Sequence, residues 1–481
     1  MKFEPTYESV SRHQLPEWYD DAKFGIFVHW SLFSVPAYAH HEGKTIMDLV
    51  EARNLHYQMQ HNPYAEWYLN TLRIDGSATR AYHEKTYGKD FSYFNFQKEF
   101  EERSKNVNFD EWAELFRESG AKYSVLVTKH HDGYCLWPSQ YKNPFDATYQ
   151  CPRDLVEEWT QAMRAKGLKA GLYYSGIFDW TFKKTPIDSD LHMLDHMVAS
   201  PEYAQYATNH VYELIERYKP SVLWNDIGYP GGIDLNKLFA DYYNAVPDGV
   251  VDDRWNQTEV PYGTTEEGLR KYLDKLRAQG RGLFSRNPDE HVSKFHGDYF
   301  TPEYQDIADI QKKKFELTRG IGYSFGYNQE ETEKDMMSAK TMLFTLMDVV
   351  SKNGNMLLNV GPMADGTIPE MQKKPLLELG AWLKVNGEAV YGTRAWEKAT
   401  AKTADGKDVR FTRKPDTLYA TILDQDLSDE LTIKDLTVRD NASVSLIGCD
   451  GPVTFENCGN DLKVKLPAQR PQQLAYVLRI S

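Results

Sequence analysis

Ser221-Val222-Leu223-Trp224-Asn225-Asp226 is a short apolar run that ends on a carboxylate. The same construction recurs in Phe24-Gly25-Ile26-Phe27-Val28-His29-Trp30, Ser124-Val125-Leu126-Val127-Thr128-Lys129-His130-His131 and Ala170-Gly171-Leu172-Tyr173-Tyr174-Ser175. It returns in Val250-Val251-Asp252-Asp253-Arg254-Trp255 and Asn355-Met356-Leu357-Leu358-Asn359-Val360. Near-continuous apolar strands are those buried on both faces, as in a parallel sheet covered by helices.

Helical periodicity fills the spaces between these runs. Phe109, Trp112, Ala113 and Phe116 stand at i, i+3, i+4 and i+7, with Gly120 placed as a stop. A second helix starts at Asp154 as N-cap, buries Leu155, Val156, Trp159 and Met163, and stops at Gly167. A third follows Pro201 through Tyr203, Tyr206, Val211 and Leu214 and halts before Pro220. The alternation predicts βα units. Polar residues gathered at the strand C-termini favour a (β/α)8-type barrel, which builds its active sites there, over a doubly wound open sheet.

After Gly392 the texture changes to short alternating strands at 418–423, 430–433, 444–447, 453–455, 462–466 and 475–480, with Asp-, Gly- and Asn-rich turns. These predict a C-terminal antiparallel β-sandwich. The expected division is residues 1–395 and 396–481. Within the first part, Gln257–Gly297 is a charged excursion. It carries Thr264-x-x-Glu267 as a capping box, then Leu269, Tyr272, Leu273 and Leu276 at helical spacing. It reads either as a functional loop inserted in the barrel or as a solvated one.

The 481 residues carry 56 Lys+Arg against 70 Asp+Glu, a net charge of −14, and their one basic run is the short Lys312-Lys313-Lys314. That excludes a phosphate-seeking surface, so neither nucleic acid nor an anionic membrane is expected as a partner. No signal-type apolar segment opens the chain, and nowhere do 18 apolar residues run together. Four cysteines without a Cys-x-x-Cys fit a reducing cytoplasm. Aromatics make up 13% of the chain, and Tyr and Trp suit either a large core or the C–H faces and hydroxyl rims of sugars.

Asp226 is the sharpest chemical candidate, although an acid at a strand end also serves as a helix cap. Arg254 ends the next apolar run and can keep a carboxylate ionised, while Glu303 in Asp298-Tyr299-Phe300-Thr301-Pro302-Glu303-Tyr304 is a second acid flanked by aromatics. One charged and one protonated carboxyl is the requirement of glycoside hydrolysis. His130 and His131 are adjacent in a strand and should point to opposite faces, which suits hydroxyl binding better than one shared metal. His192 and His196 lack a third ligand and read as surface histidines, so no metal is expected. No Gly-x-Ser-x-Gly elbow, phosphate loop or dinucleotide fingerprint occurs, and no cofactor is expected.

Lys23–Trp30, Lys129-His130-His131-Asp132-Gly133-Tyr134-Cys135-Leu136-Trp137, Leu223–Asp226, Asp253-Arg254-Trp255 and Thr318–Asn328 together resemble, in order, the motifs of glycoside hydrolase family 29, the α-L-fucosidases. The resemblance implies an irregular (β/α)8-type barrel, a C-terminal β-sandwich and a retaining α-L-fucosidase acting on fucosylated glycans through a covalent fucosyl-enzyme. It also implies Asp226 as nucleophile and His29, His130, His131, Glu66 and Trp67 at the fucose hydroxyls and ring face. Tyr173 and Arg254 would stand around the nucleophile, and Phe27 and Phe325 would wall the fucose methyl group. Glu303 fits the acid/base best, with Glu259 and Glu290 as rivals, and a retaining pair should lie about 5–5.5 Å apart. A retaining glycosidase for a related sugar such as β-D-galactose and a retired fucose-binding protein are the alternatives. A bacterial source and a homo-oligomer are both compatible with the sequence.

Overall fold

The computed structural model describes residues 2–50, 54–283 and 295–481. Seven strands form one parallel sheet: β1 (Phe24–Val28), β2 (Tyr123–Lys129), β3 (Lys169–Ser175), β4 (Val222–Asp226), β5 (Val250–Val251), β6 (Phe315–Gly320) and β7 (Gly354–Val360), in the order β5-β4-β3-β2-β1-β7-β6. Nearly every strand residue is buried, as continuous apolar runs require.

The two edges, β5 and β6, do not pair with each other; the irregular segment 298–304 spans the gap. The amide of Asp298 donates to the Val251 carbonyl on one side, and on the other the amides of Phe300 and Tyr304 donate to the carbonyls of Lys314 and Thr318. Residues 298–304 thus stand where an eighth strand would, and they carry Glu303. Of the seven strands, β6 is the one the apolar-run pattern missed, because Glu316, Thr318 and Arg319 interrupt its hydrophobicity.

Helices cover the sheet as their periodicity predicted. Asn108 caps Phe109–Glu118, whose Phe109, Trp112, Ala113, Leu115 and Phe116 are buried, and the Trp112 indole donates to the Gly366 carbonyl at 2.7 Å. Each such large apolar side chain contributes about 1.5–3 kcal/mol on burial. Asp154 accepts from the Glu157 amide at the start of Leu155–Ala165, and Ser200 caps Pro201–Tyr218.

The C-terminal residues form a five-stranded antiparallel sheet, β12-β15-β10-β9-β8, and a three-stranded one, β11-β14-β13. The strands are β8 (Arg394–Lys402), β9 (Asp408–Lys414), β10 (Thr417–Ile422), β11 (Glu430–Ile433), β12 (Val444–Leu446), β13 (Thr454–Cys458), β14 (Asp461–Lys465) and β15 (Tyr476–Ile480). Two of them, β8 and β9, were absent from the sequence reading because charged residues interrupt their alternation. Arg410 pairs with Asp348 at 2.7 Å and the Trp382 indole donates to the Ala475 carbonyl at 2.9 Å, tying these sheets to the helices of the barrel.

The inserted helix is Glu266–Ala278. Its N-cap is Thr265, whose hydroxyl accepts from the Gly268 amide, one residue later than the capping box expected at Thr264. Leu269 and Leu273 pack with Leu194, Val198 and Val260, seating the helix on Asp190–Met197. Between the two helices opens a cavity of about 540 Å³ lined by His56, Asp188, His192, Arg270 and Arg277 among others. His196 is not a surface residue as expected: it is buried and its Nε2 meets the Thr185 carbonyl at 2.8 Å.

Candidate active site

The Trp224-Asn225-Asp226 run shows how strand geometry builds the site. Trp224 and Asp226 lie two residues apart and leave the same face of β4, while Asn225 leaves the other. Asn225 Nδ2 donates to the carbonyls of Gly228 at 3.0 Å and Arg254 at 2.8 Å, fixing the turn after the strand to the neighbouring chain end. That turn is sharp: Ile227 has φ +64°, a left-handed value that a β-branched side chain adopts only at a cost of about 1–3 kcal/mol. Tyr304, the residue after Glu303, likewise has φ +50°. Each carboxylate therefore sits just before a non-glycine residue held in the left-handed region, the kind of strain that clusters at functional sites.

Arg254 joins the two acids. Its Nη1 donates to Asp226 Oδ1 at 2.9 Å and its Nη2 to Glu303 Oε2 at 3.0 Å, while Nε donates to Thr301 Oγ1 at 2.8 Å. The guanidinium lies over the Trp224 ring, 4.8 Å from its centroid. Tyr173 donates to Asp226 Oδ2 at 2.8 Å, and Tyr64 donates to Glu303 Oε1 at 2.7 Å. Side-chain exposure is 13% for Asp226, 18% for Arg254 and 24% for Glu303, so the three share a recess with a solvent opening. Burial pushes the Asp226 carboxyl up, but the Arg254 guanidinium and the Tyr173 hydrogen bond hold it below the usual value, keeping it ionised.

Three imidazoles line the recess, and desolvation keeps all three neutral: His29 is pushed down to about 4, His131 to about 3, and His130 well below its ordinary value. A neutral imidazole offers one donor and one acceptor. Ser175 Oγ gives its proton to the Phe178 carbonyl, so His131 Nδ1, 2.7 Å away, is the donor to that oxygen, which leaves Nε2 as an acceptor 3.9 Å from Asp226 Oδ2. His29 Nδ1 meets Asn359 Oδ1 at 2.6 Å. The expectation that His130 and His131 face opposite ways is overturned: their ring centroids are 4.0 Å apart. The register of β2 shifts between Val127 and Lys129, and both histidines lie past the strand end, so strict alternation no longer applies.

The remaining wall is aromatic. His29 packs on Phe27 and Phe325 at 4.7 and 4.9 Å, the two phenyl rings are 6.4 Å apart edge to face, and Trp67 meets the His131 ring at 5.2 Å. Glu66 is buried, and desolvation raises its carboxyl to about 7; its Oε2 accepts from the Gly326 amide at 2.8 Å. Gly326 is required there, since a Cβ would stand 3.2 Å from that same Oε2 and 2.9 Å from the Phe33 ring. Every site residue inferred from the sequence, Asp226, Glu303, Arg254, Tyr173, His29, His130, His131, Glu66, Trp67, Phe27 and Phe325, belongs to this linked set of contacts. Of the rival acids, Glu259 is exposed on a bend of the insertion ahead of its helix, and Glu290 lies outside the described residues. Among the described residues, His13, His296 and Asp298 form the one group of potential metal ligands, and they lie apart from the recess. There His13 Nδ1 meets Asp298 Oδ1 at 2.8 Å and His296 Nε2 meets the Tyr243 hydroxyl at 2.7 Å.

Sequence reasoning missed Tyr64, Asn359, Ser175 and Thr301, which hold the recognised residues. Single polar residues of this kind carry no motif, and only the folded arrangement shows what they touch.

Comparison with known proteins decides the family. The α-L-fucosidase family model matches residues 1–388, and the model of the α-L-fucosidase C-terminal domain matches residues 403–481. The chain belongs to the α-L-fucosidase family. The fucosidase is 29% identical to the α-L-fucosidase of Dictyostelium discoideum over all of its own length and 95% of that relative's. It is 30% identical to human plasma α-L-fucosidase, covering 97% of this chain and 89% of the other. A crystal structure of Thermotoga maritima α-fucosidase in complex with fucose superposes with a TM-score of 0.82 at 39% identity, covering both chains completely. The same enzyme in complex with a mechanism-based inhibitor gives the same TM-score and identity. The fucosidase is thus a glycoside hydrolase acting on fucosylated substrates, with the barrel and C-terminal β-domain of its relatives.

Proposed function

We propose that the fucosidase cleaves α-L-fucosides with retention, by a double displacement in which Asp226 is the nucleophile and Glu303 the acid/base. The observation that carries this reading is Arg254 spanning both carboxylates at 2.9 and 3.0 Å. One guanidinium bonded to both carboxyls keeps the two acids together in one recess, an arrangement that supports the closer spacing of a retaining pair. Asp226, kept ionised, attacks the anomeric carbon and forms the fucosyl-enzyme ester; Glu303 gives its proton to the departing glycosidic oxygen. Water then attacks the ester carbon, Glu303 takes that water's proton, and fucose leaves with Asp226 restored as carboxylate. Arg254 and Tyr173 hold Asp226 along the path, each donating to a different oxygen.

His29, His130, His131 and Glu66 take the fucose hydroxyls, the imidazoles as neutral donor–acceptors, and Trp67 covers a ring face. Phe27 and Phe325 receive the C6 methyl. A hydroxymethyl there would bury an oxygen against phenyl rings without a partner. Phe325→Ala is accordingly expected to narrow the preference for an aryl α-L-fucoside over the corresponding aryl α-L-galactoside, its 6-hydroxy counterpart, by about tenfold in kcat/KM. An unchanged ratio would place the methyl group elsewhere. The inserted helix, seated on Asp190–Met197 in the segment that follows β3, is read as part of the aglycone-side wall or as a subunit contact. A cytoplasmic enzyme is favoured by the four cysteines, all of them free. Among the described residues no helix is long and apolar enough to cross a membrane.

A further inference from the structure

Glu316 is wholly buried on β6, on the barrel interior, and three donors from three different elements converge on it. Tyr19 and Tyr123 donate their hydroxyl protons to Oε2 at 2.7 and 2.5 Å, and the Trp224 indole N–H donates to Oε1 at 3.0 Å. A carboxylate accepts from all three without donating in return; burial pushes the Glu316 carboxyl up, and the three hydrogen bonds and Arg254 pull it back towards the ionised form. A buried charge of this kind is weak evidence for stability, because a well-packed apolar replacement is often neutral or better. What it does specify here is geometry. The Trp224 N–H is the only polar handle of that ring, and the ring is the floor on which both supports of Asp226 rest. Arg254 lies over it at 4.8 Å, and Tyr173 stacks against it at 5.5 Å with an interplanar angle of 22°. Arg254 and Tyr173 in turn make the two hydrogen bonds to Asp226.

We propose that Glu316 is a positioning residue: through the Trp224 indole it sets the height and tilt of the platform that carries Arg254 and Tyr173, and so aims the Asp226 carboxylate. The proposal rests on the reading of Asp226 as nucleophile. The titratable and charged groups facing Glu316 are Tyr19, Tyr123 and Tyr299, with the Arg254 guanidinium acting on it through space.

The test is a double-mutant cycle with Glu316→Leu and Trp224→Phe, the second removing the N–H and keeping a ring. Turnover of an aryl α-L-fucoside is normalised to the number of L-fucose binding sites measured by calorimetry, so that unfolded protein does not count. Glu316→Leu is expected to lower kcat per site about 10- to 100-fold with KM within about threefold. Trp224→Phe should do part of the same, and the double variant should be no worse than Glu316→Leu, because both remove one link. With Arg254 less well seated, the acidic limb of kcat/KM should move to higher pH, which a loss of folded enzyme would not cause. Glu316→Gln should recover most of the rate, since its amide oxygen can accept from Trp224 while the tyrosine hydroxyls turn to accept from its NH₂. Losses that simply add, an unmoved acidic limb, or a fall confined to the number of binding sites would each overturn the positioning role. A turnover-competent Asp226→Gly would instead overturn the nucleophile reading beneath it. Dead Asp226→Gly beside normal Glu316→Leu would overturn the positioning role alone.

Discussion

Asp226→Gly is expected to lower turnover of an aryl α-L-fucoside by about 10⁴-fold or more while leaving the barrel folded and L-fucose bound. The side chain is 13% exposed and ends a strand whose preceding residues are packed, so removing it takes away the attacking oxygen without opening the core. Arg254 keeps its contacts to Glu303 and Thr301 in the variant, which preserves the cation in place. Added azide, small enough to occupy the vacated space, should restore turnover and yield β-L-fucosyl azide, since one displacement replaces two. Near-normal activity without azide, or an α-azide product, would remove Asp226 from the nucleophile role.

Glu303→Ala has the second largest expected effect, and it depends on the leaving group. General acid assistance is worth about 10²–10⁴-fold where the departing oxygen needs a proton. For a fucosyl oligosaccharide kcat/KM should fall by that factor, whereas an activated aryl fucoside, which leaves unaided, should lose about tenfold or less in its first step. Equal losses on both substrates would mean that Glu303 serves only to hold Arg254, and would return the acid role to Glu259 or Glu290.

The catalytic apparatus was legible in the sequence where chemistry and strand geometry coincide. An apolar run ending in Trp-Asn-Asp announces a buried strand and a carboxylate at its rim, and β4 has that form, with Trp224 and Asp226 on one face. The histidine pair was legible as chemistry but not as geometry. The irregularity of β2 at Val127–Lys129 brings two rings to 4.0 Å that strict alternation would separate. Two kinds of element stayed hidden. β6, β8 and β9 carry polar and charged residues that mask the strand pattern, and in β6 this is no accident, since Glu316 is there to accept three hydrogen bonds inside the barrel. The segment 298–304 closes the barrel with scattered backbone bonds rather than a ladder, which leaves no periodicity to read. Residues that orient others, such as Ser175, Asn359 and Tyr64, are visible only through what they touch.

The central claim, double displacement through Asp226, is tested most directly by the stereochemistry of the first product. Proton NMR of the anomeric region is followed while the enzyme hydrolyses an aryl α-L-fucoside, at an enzyme concentration high enough to outrun mutarotation. α-L-Fucose is expected to appear first, with the β-anomer growing in only as mutarotation proceeds. β-L-Fucose as the first-formed sugar would show a single inverting displacement and would contradict the roles given to both carboxylates.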